Sequence, residues 1–187
     1  MTVTNFPVLT HRLKLHNHRN IWGKIEAELS VVSTFWLMTR EVNLVANNEH
    51  LIELQKGVSN WNAWRSRNLR LQIDLKEANL AYAEVSKADF NEADLSLANL
   101  GGANLSLATF RDVTLCMTNL NGANLSLANL CGVNLSLANL SGANLRGAVS
   151  RKTDFNGARL KDANLRDTDI QVARLDGAIL DKAILSR

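Results

Sequence analysis

From Ile73 to Arg187 the chain repeats every five residues without a break, through 115 residues and 23 units. One clean stretch reads Ala123-Asn124-Leu125-Ser126-Leu127 and then Ala128-Asn129-Leu130-Cys131-Gly132. The first residue of each unit is small or β-branched, as at Ala78, Val113, Thr118 and Ala143. The third is Leu, Phe, Val or Ile everywhere except Ser150. Neither an α-helix nor an ordinary strand has a period of five. A short fixed period means a stacked solenoid, in which each unit buries its apolar face only against its neighbours.

These units resemble the pentapeptide-repeat family, and the resemblance covers all of 73–187. It implies a mainly β fold: a right-handed quadrilateral parallel β-helix with four units to a coil, so that residues twenty apart stack. The period alone does not give four sides. The resemblance also implies that the first and third residues of each unit point inward. Leu75, Leu95, Leu115, Leu135, Phe155 and Leu175 then form one internal column, and Phe90 stacks on Phe110 in another. At about 4.8 Å per coil the solenoid is roughly 28 Å long.

Residues 1–72 lack the period and read as a helical region, the first of two parts, with 73–187 as the second. Ile21, Ile25, Leu29, Val32, Phe35 and Trp36 fall in one stripe at helical spacing. A further helix is expected after Asn47 or Asn48 as cap, with Leu51, Leu54, Val58, Trp61 and Trp64 on one face and Gly57 costing about 1 kcal/mol. The stretch Trp61-Asn62-Ala63-Trp64-Arg65 before Ile73-Asp74-Leu75 resembles the Trp-Asn-x-Trp-Arg leader helix of cyanobacterial pentapeptide-repeat proteins. A first coil exposes unpaired strand edges and an open core, which need a cover. Leu51, Leu54, Val58, Trp61 and Trp64 are therefore expected to cap the first coil, near Leu75 and Leu80. Met38 is a possible alternative start.

The residue inventory points away from catalysis. All four His (His11, His16, His18, His50) precede the repeat, so a Ser-His-Asp or Cys-His arrangement would have to reach across from the helical region. His11, His16 and His18 sit in a basic segment without Cys or acidic neighbours, a poor metal site. The glycines of the repeat fall at turn positions and form no phosphate loop. The chain is thus read as no enzyme, with no cofactor and no metal. Cys116 and Cys131 both fall on outward fourth positions, which suits free thiols and a cytoplasmic protein. No apolar run is long enough to span a membrane.

Charge sorts the remaining readings. Residues 1–72 hold 9 Lys and Arg against 5 Asp and Glu, and residues 73–187 hold 12 against 13. Some members of the family resemble a DNA duplex and occupy the DNA site of type II topoisomerases, which is the alternative function here. A duplex carries one negative charge per about 1.7 Å, or about 16 over such a solenoid. A net −1 disfavours that mimicry, and the diffuse positive charge of 1–72 disfavours binding of nucleic acid itself.

A protein-interaction, scaffold or regulatory module is the leading expectation. Fifth positions alternate between large apolar and small residues, with Leu97, Met117 and Leu137 stacking on one side and Leu107 and Leu127 on the opposite side. Isolated exposed leucines are also normal on soluble proteins, folded back over their own surface. Second positions carry Asn at intervals of twenty, which is expected to give amide ladders. Ile179 and Ile184 take second positions in the last complete units, with Val172 nearby at a fifth position. With no further helix after Arg187, a two-fold contact through this end is expected to give a homodimer. The protein partner itself is unknown. Ser150, flanked by Val149, Arg151 and Lys152, predicts a bulge or a shallow notch with a basic rim.

Overall fold

A computed structural model describes residues 46–185. The stripe from Ile21 to Trp36 and the three histidines before residue 20 lie outside the described residues. The helices and the repeat fall in one compact unit, Glu41–Arg187.

Two short helices come first, α1 (Asn48–Gln55) and α2 (Val58–Arg67). The sequence reading placed Leu51 to Trp64 on a single helix, but Gly57 divides it. Gly57 stands at φ 94°, in the region that costs other residues most, and its carbonyl accepts from Trp61 N–H to start α2. Asn47 caps α1, its Oδ1 accepting from Glu49 N–H at 2.9 Å.

From Ile73 onward the backbone builds a four-sided coil. Parallel bridges join second residues to those twenty further on, from Asp74 with Asp94 through to Arg159 with Ile179, with the pair Val149 and Asp169 left unbridged. Only Asn164–Leu165 (β1) and Ile184–Leu185 (β2) lengthen into paired strands, again in parallel register. Each side is short because a turn follows at once. The N–H of the next unit's first residue donates to the carbonyl of the third, as Ala78 does to Leu75 at 3.1 Å. The fifth residue of nearly every unit has positive φ, as a type II turn requires at its third position.

The core is the one the family resemblance implies. First and third residues are buried along most of the stack, and Leu75, Leu95, Leu115 and Leu135 are fully inaccessible. Phe90 and Phe110 stack with ring centroids 5.4 Å apart. Hydroxyls at first positions carry their own partners. Thr118, Thr153 and Thr168 each donate to a carbonyl 23 residues earlier, on Leu95, Leu130 and Leu145, at 2.7–2.9 Å. Nothing in the sequence reading had anticipated those three bonds. In the last coil Ala173, Leu175, Ala178 and Leu180 are only half-buried.

Outside, the second residues form the expected amide ladders. Asn119 Nδ2 donates to Asn99 Oδ1 at 2.9 Å, and Asn124, Asn144 and Asn164 repeat the contact on the next side. The same Oδ1 atoms accept from the N–H two residues on, which rigidifies each turn.

Candidate functional site

The surface offers three places that could carry function: the corners of the solenoid, the junction with the helices, and the irregular side at Ser150. The corners are built by the fifth residues. Leu97, Met117 and Leu137 stand twenty apart on one corner, exposed by 46%, 53% and 56%. Leu107 and Leu127 stand on the corner two sides away, exposed by 46% and 59%. Leu127 and Leu137 lean along the solenoid axis toward the next coil. A Cβ added at Gly147 would lie 2.8 Å from Leu127 Cδ2, and one at Gly157 would lie 2.7 Å from Leu137 Cδ2. Leu127 and Leu137, the last large residues of their columns, therefore each rest on a glycine one coil on. Between Leu95 and Val149 the only charged residues are Arg111, Asp112 and Arg146, so both corners sit in an uncharged belt.

At the helix junction, aromatic rings continue the internal column. Phe110 stacks on Phe90, Phe90 meets Trp61 at 5.9 Å, Trp61 stacks on Trp64 at 5.4 Å, and Trp64 meets His50 at 5.6 Å. Trp61, Leu51 and Leu54 are buried, while Val58 and Trp64 are half-buried. Polar groups on the helices bond to the open strand edge. Trp61 Nε1–H donates to Asp89 O at 2.8 Å, and Asp89 N–H donates to Asn62 Oδ1 at 2.9 Å. Arg65 Nη2 donates to Asn91 O at 2.7 Å. Asp74 N–H donates to His50 Nδ1 at 3.0 Å, and Asp74 O accepts from Asn47 N–H. The sequence reading placed the helix near Leu75 and Leu80. Its hydrogen bonds reach the Leu75 and Phe90 sides of the coil and, through Asn62 Nδ2 donating to Lys87 O at 3.0 Å, the end of the Val85 side, and none reaches the Leu80 side. It also singled out the tryptophans and missed His50, Asn62 and Arg65. The signal was present in the Trp61-Asn62-x-x-Arg65 spacing, where a one-turn step puts three donors on the coil-facing side of α2.

Ser150 is fully buried, and its Oγ donates to Asp169 O at 2.7 Å. In a regular coil that carbonyl accepts from a backbone N–H, as Asn164 O does from Leu145. Here the hydroxyl takes the place of the amide, and the ladder stops on this side. The cause lies at two residues. Ser150 is too small to fill the column of Phe90, Phe110 and Leu130. Val172 is the single described fifth residue without positive φ, since a β-branched side chain does not tolerate that region. The expected basic rim is partly neutralised, because Arg151 pairs with Asp169 at 3.0 Å. Ile179 and Ile184 are 49% and 42% exposed on the last described coil, with Val172 at 58%.

Among the described residues no group of His, Cys, Asp and Glu is arranged to hold a metal ion. No described helix is long and apolar enough to cross a membrane. Cys116 and Cys131 are free thiols on the outer surface.

The model of the family described as pentapeptide repeats (8 copies) matches residues 73–112, 108–147, 134–171 and 151–187, which together span the whole solenoid. No curated protein matches the chain. Among solved structures the chain is similar to Rfr23, a pentapeptide repeat protein from the cyanobacterium Cyanothece 51142, at 27% identity, covering 69% of this chain and 99% of that one with a TM-score of 0.51. It is similar to HetL from Nostoc sp. strain PCC 7120, a pentapeptide repeat protein involved in heterocyst differentiation regulation, at 32% identity over 59% of this chain, with a TM-score of 0.44. The chain spans about half of HetL, 54% of its length. It is also similar to alr5209 of Nostoc PCC 7120, at 34% identity over 52% of this chain and 79% of that one, with a TM-score of 0.41. Proteins with this repeat form right-handed quadrilateral β-helices, and the chain belongs to that pentapeptide-repeat family.

Proposed function

We propose that the protein is a non-catalytic binding module whose solenoid presents its corner residues to a protein partner. The observation that carries this reading is the pair of exposed apolar columns, Leu97, Met117 and Leu137 on one corner and Leu107 and Leu127 on the opposite one, within an uncharged belt. Each column is small, so the partner engages one corner as the centre of a larger polar footprint. In the same reading 1–72 is a cap region and 73–187 the working solenoid, with Leu51, Leu54, Val58, Trp61 and Trp64 as cap residues. Ile179 and Ile184 are the place where a second copy would pack.

Affinity purification of wild type beside Leu107→Asp/Leu127→Asp and Leu97→Asp/Met117→Asp/Leu137→Asp variants tests the corners. A partner retained by wild type and lost from one variant, with both variants folded, supports the reading. Identical partner sets from all three would sink it. Light scattering tests the second copy: equal mass for wild type and Ile179→Asp/Ile184→Asp removes that surface.

A further inference from the structure

The two apolar corners are copies of each other. Ten residues are half a coil, so a ten-residue step carries a side chain to the opposite corner and about 2.4 Å along the axis. Leu97, Leu107, Met117, Leu127 and Leu137 follow one another at that step. The hexapeptide Asn124-Leu125-Ser126-Leu127-Ala128-Asn129 recurs unchanged as Asn134-Leu135-Ser136-Leu137-Ala138-Asn139. The units that hold Leu97 and Met117 vary the polar residues and keep the large fifth one. The fold preserves the likeness. Leu127 and Leu137 stand at φ 58° and 60°. Ser126 N–H and Ser136 N–H donate to Asn124 Oδ1 and Asn134 Oδ1, at 3.2 and 3.0 Å. Leu127 N–H and Leu137 N–H donate one coil on, to Arg146 O and Asn156 O, at 3.0 and 2.9 Å. The neutral belt thus carries one ridge twice, related by a half-turn about the solenoid axis.

We propose that a homodimeric protein grips both corners at once, each subunit receiving one ridge in an uncharged, apolar groove. This rests on the reading of the corners as the binding surface and adds the partner's symmetry. Size argues for a joint grip. Leu97 and Leu137 are two coil steps apart, about 10 Å, so one ridge falls well short of the roughly 800 Å² that a stable complex buries on each partner. Gripping both doubles the contact, and the second ridge engages at the high effective concentration set up by the first. Two copies of one groove facing each other across a two-fold axis are what a homodimer supplies. Chemistry sets the groove. Asn side chains beside the ridges are already bonded within turns and ladders. The belt's charges are only Arg111, Asp112 and Arg146. A charged group in the groove would lose its water for little return. A second copy of this chain is a poor occupant, because its corners are convex and ridge on ridge meets along a line.

The first test needs no natural partner. The probe is a single-domain antibody selected on the Leu97→Asp/Met117→Asp/Leu137→Asp variant and counter-selected on the variant with all five residues changed to Asp, so that it reads the Leu107 corner. It should bind wild type at two copies per chain and the Leu107→Asp/Leu127→Asp variant at one. A flexibly linked tandem of the probe should bind wild type at least tenfold more tightly than either one-corner variant. One copy per wild-type chain would show that the corners differ and overturn the proposal. The second test is native mass spectrometry of the complex retained by affinity-purified wild type. One chain with two identical partner subunits is expected, and each one-corner variant should bind that partner at least tenfold more weakly. One partner subunit per chain, or weakening confined to one variant, would overturn the joint grip and leave the corner reading standing. Equal retention by wild type and both variants would overturn both.

Discussion

At the corners, single residues hold a conformation that most side chains avoid. Leu97, Leu107, Met117, Leu127 and Leu137 have φ between 57° and 61°. Glycine relieves this at Gly142 and Gly147, both at φ 67°. The two differ in their surroundings: an added Cβ meets nothing within 4 Å at Gly142 but lies 2.8 Å from Leu127 Cδ2 at Gly147. Gly142→Ala should therefore cost about 1 kcal/mol, the left-handed penalty alone. Gly147→Ala should cost more, because Leu127 must also move. In a Leu127→Ala background the two substitutions should cost the same. Thermal unfolding of the six proteins checks the cycle, and an undiminished excess at Gly147 would mean that Leu127 is not its source.

Elements are stabilised here by what lies above and below them. α1 and α2 are too short to stand alone, and they are held by Trp61 on Phe90 and by bonds to Asp74, Asp89 and Asn91. Deleting residues 1–68 should free those strand edges and produce concentration-dependent aggregates. Trp61→Ala should cost about 3–5 kcal/mol as a buried aromatic truncation. A soluble truncation with unchanged melting would mean that the helices do not protect the coil. The irregular side belongs to this scale as well. Ser150→Leu refills its column and Val172→Gly permits the regular corner, so the double variant should re-form the missing ladder. Raised melting temperature and new amide protection at 150, 152 and 169 are expected. Either substitution alone should gain less, since column and corner must both be regular for the strand to pair.

Taken as a whole, the solenoid is a short surface of nearly zero net charge. Its 12 basic and 13 acidic residues are far from the charge of a duplex of the same length. The protein should leave DNA gyrase supercoiling unaffected at submicromolar concentration and show no tight binding to duplex DNA at physiological salt. A supercoiling assay and a salt-dependent titration check both, and submicromolar inhibition would restore duplex mimicry as the function.

The five-residue period by itself determined a stacked solenoid, and the family resemblance supplied the inward first and third residues and the outward corners. A repeat with no other way to bury its leucines leaves the chain little choice. The stacking of Leu97 on Met117 was legible once the family resemblance supplied four sides, because register then follows from arithmetic. Only the tertiary structure decided how the first coil ends. Which sides the helices reach depends on where Gly57 breaks them and on the reach of His50, Asn62 and Arg65, and no period encodes those contacts. The same holds at Ser150. Its polarity was visible in the sequence, but the loss of the ladder also needs Val172, one coil away and twenty-two residues later, to refuse the left-handed turn.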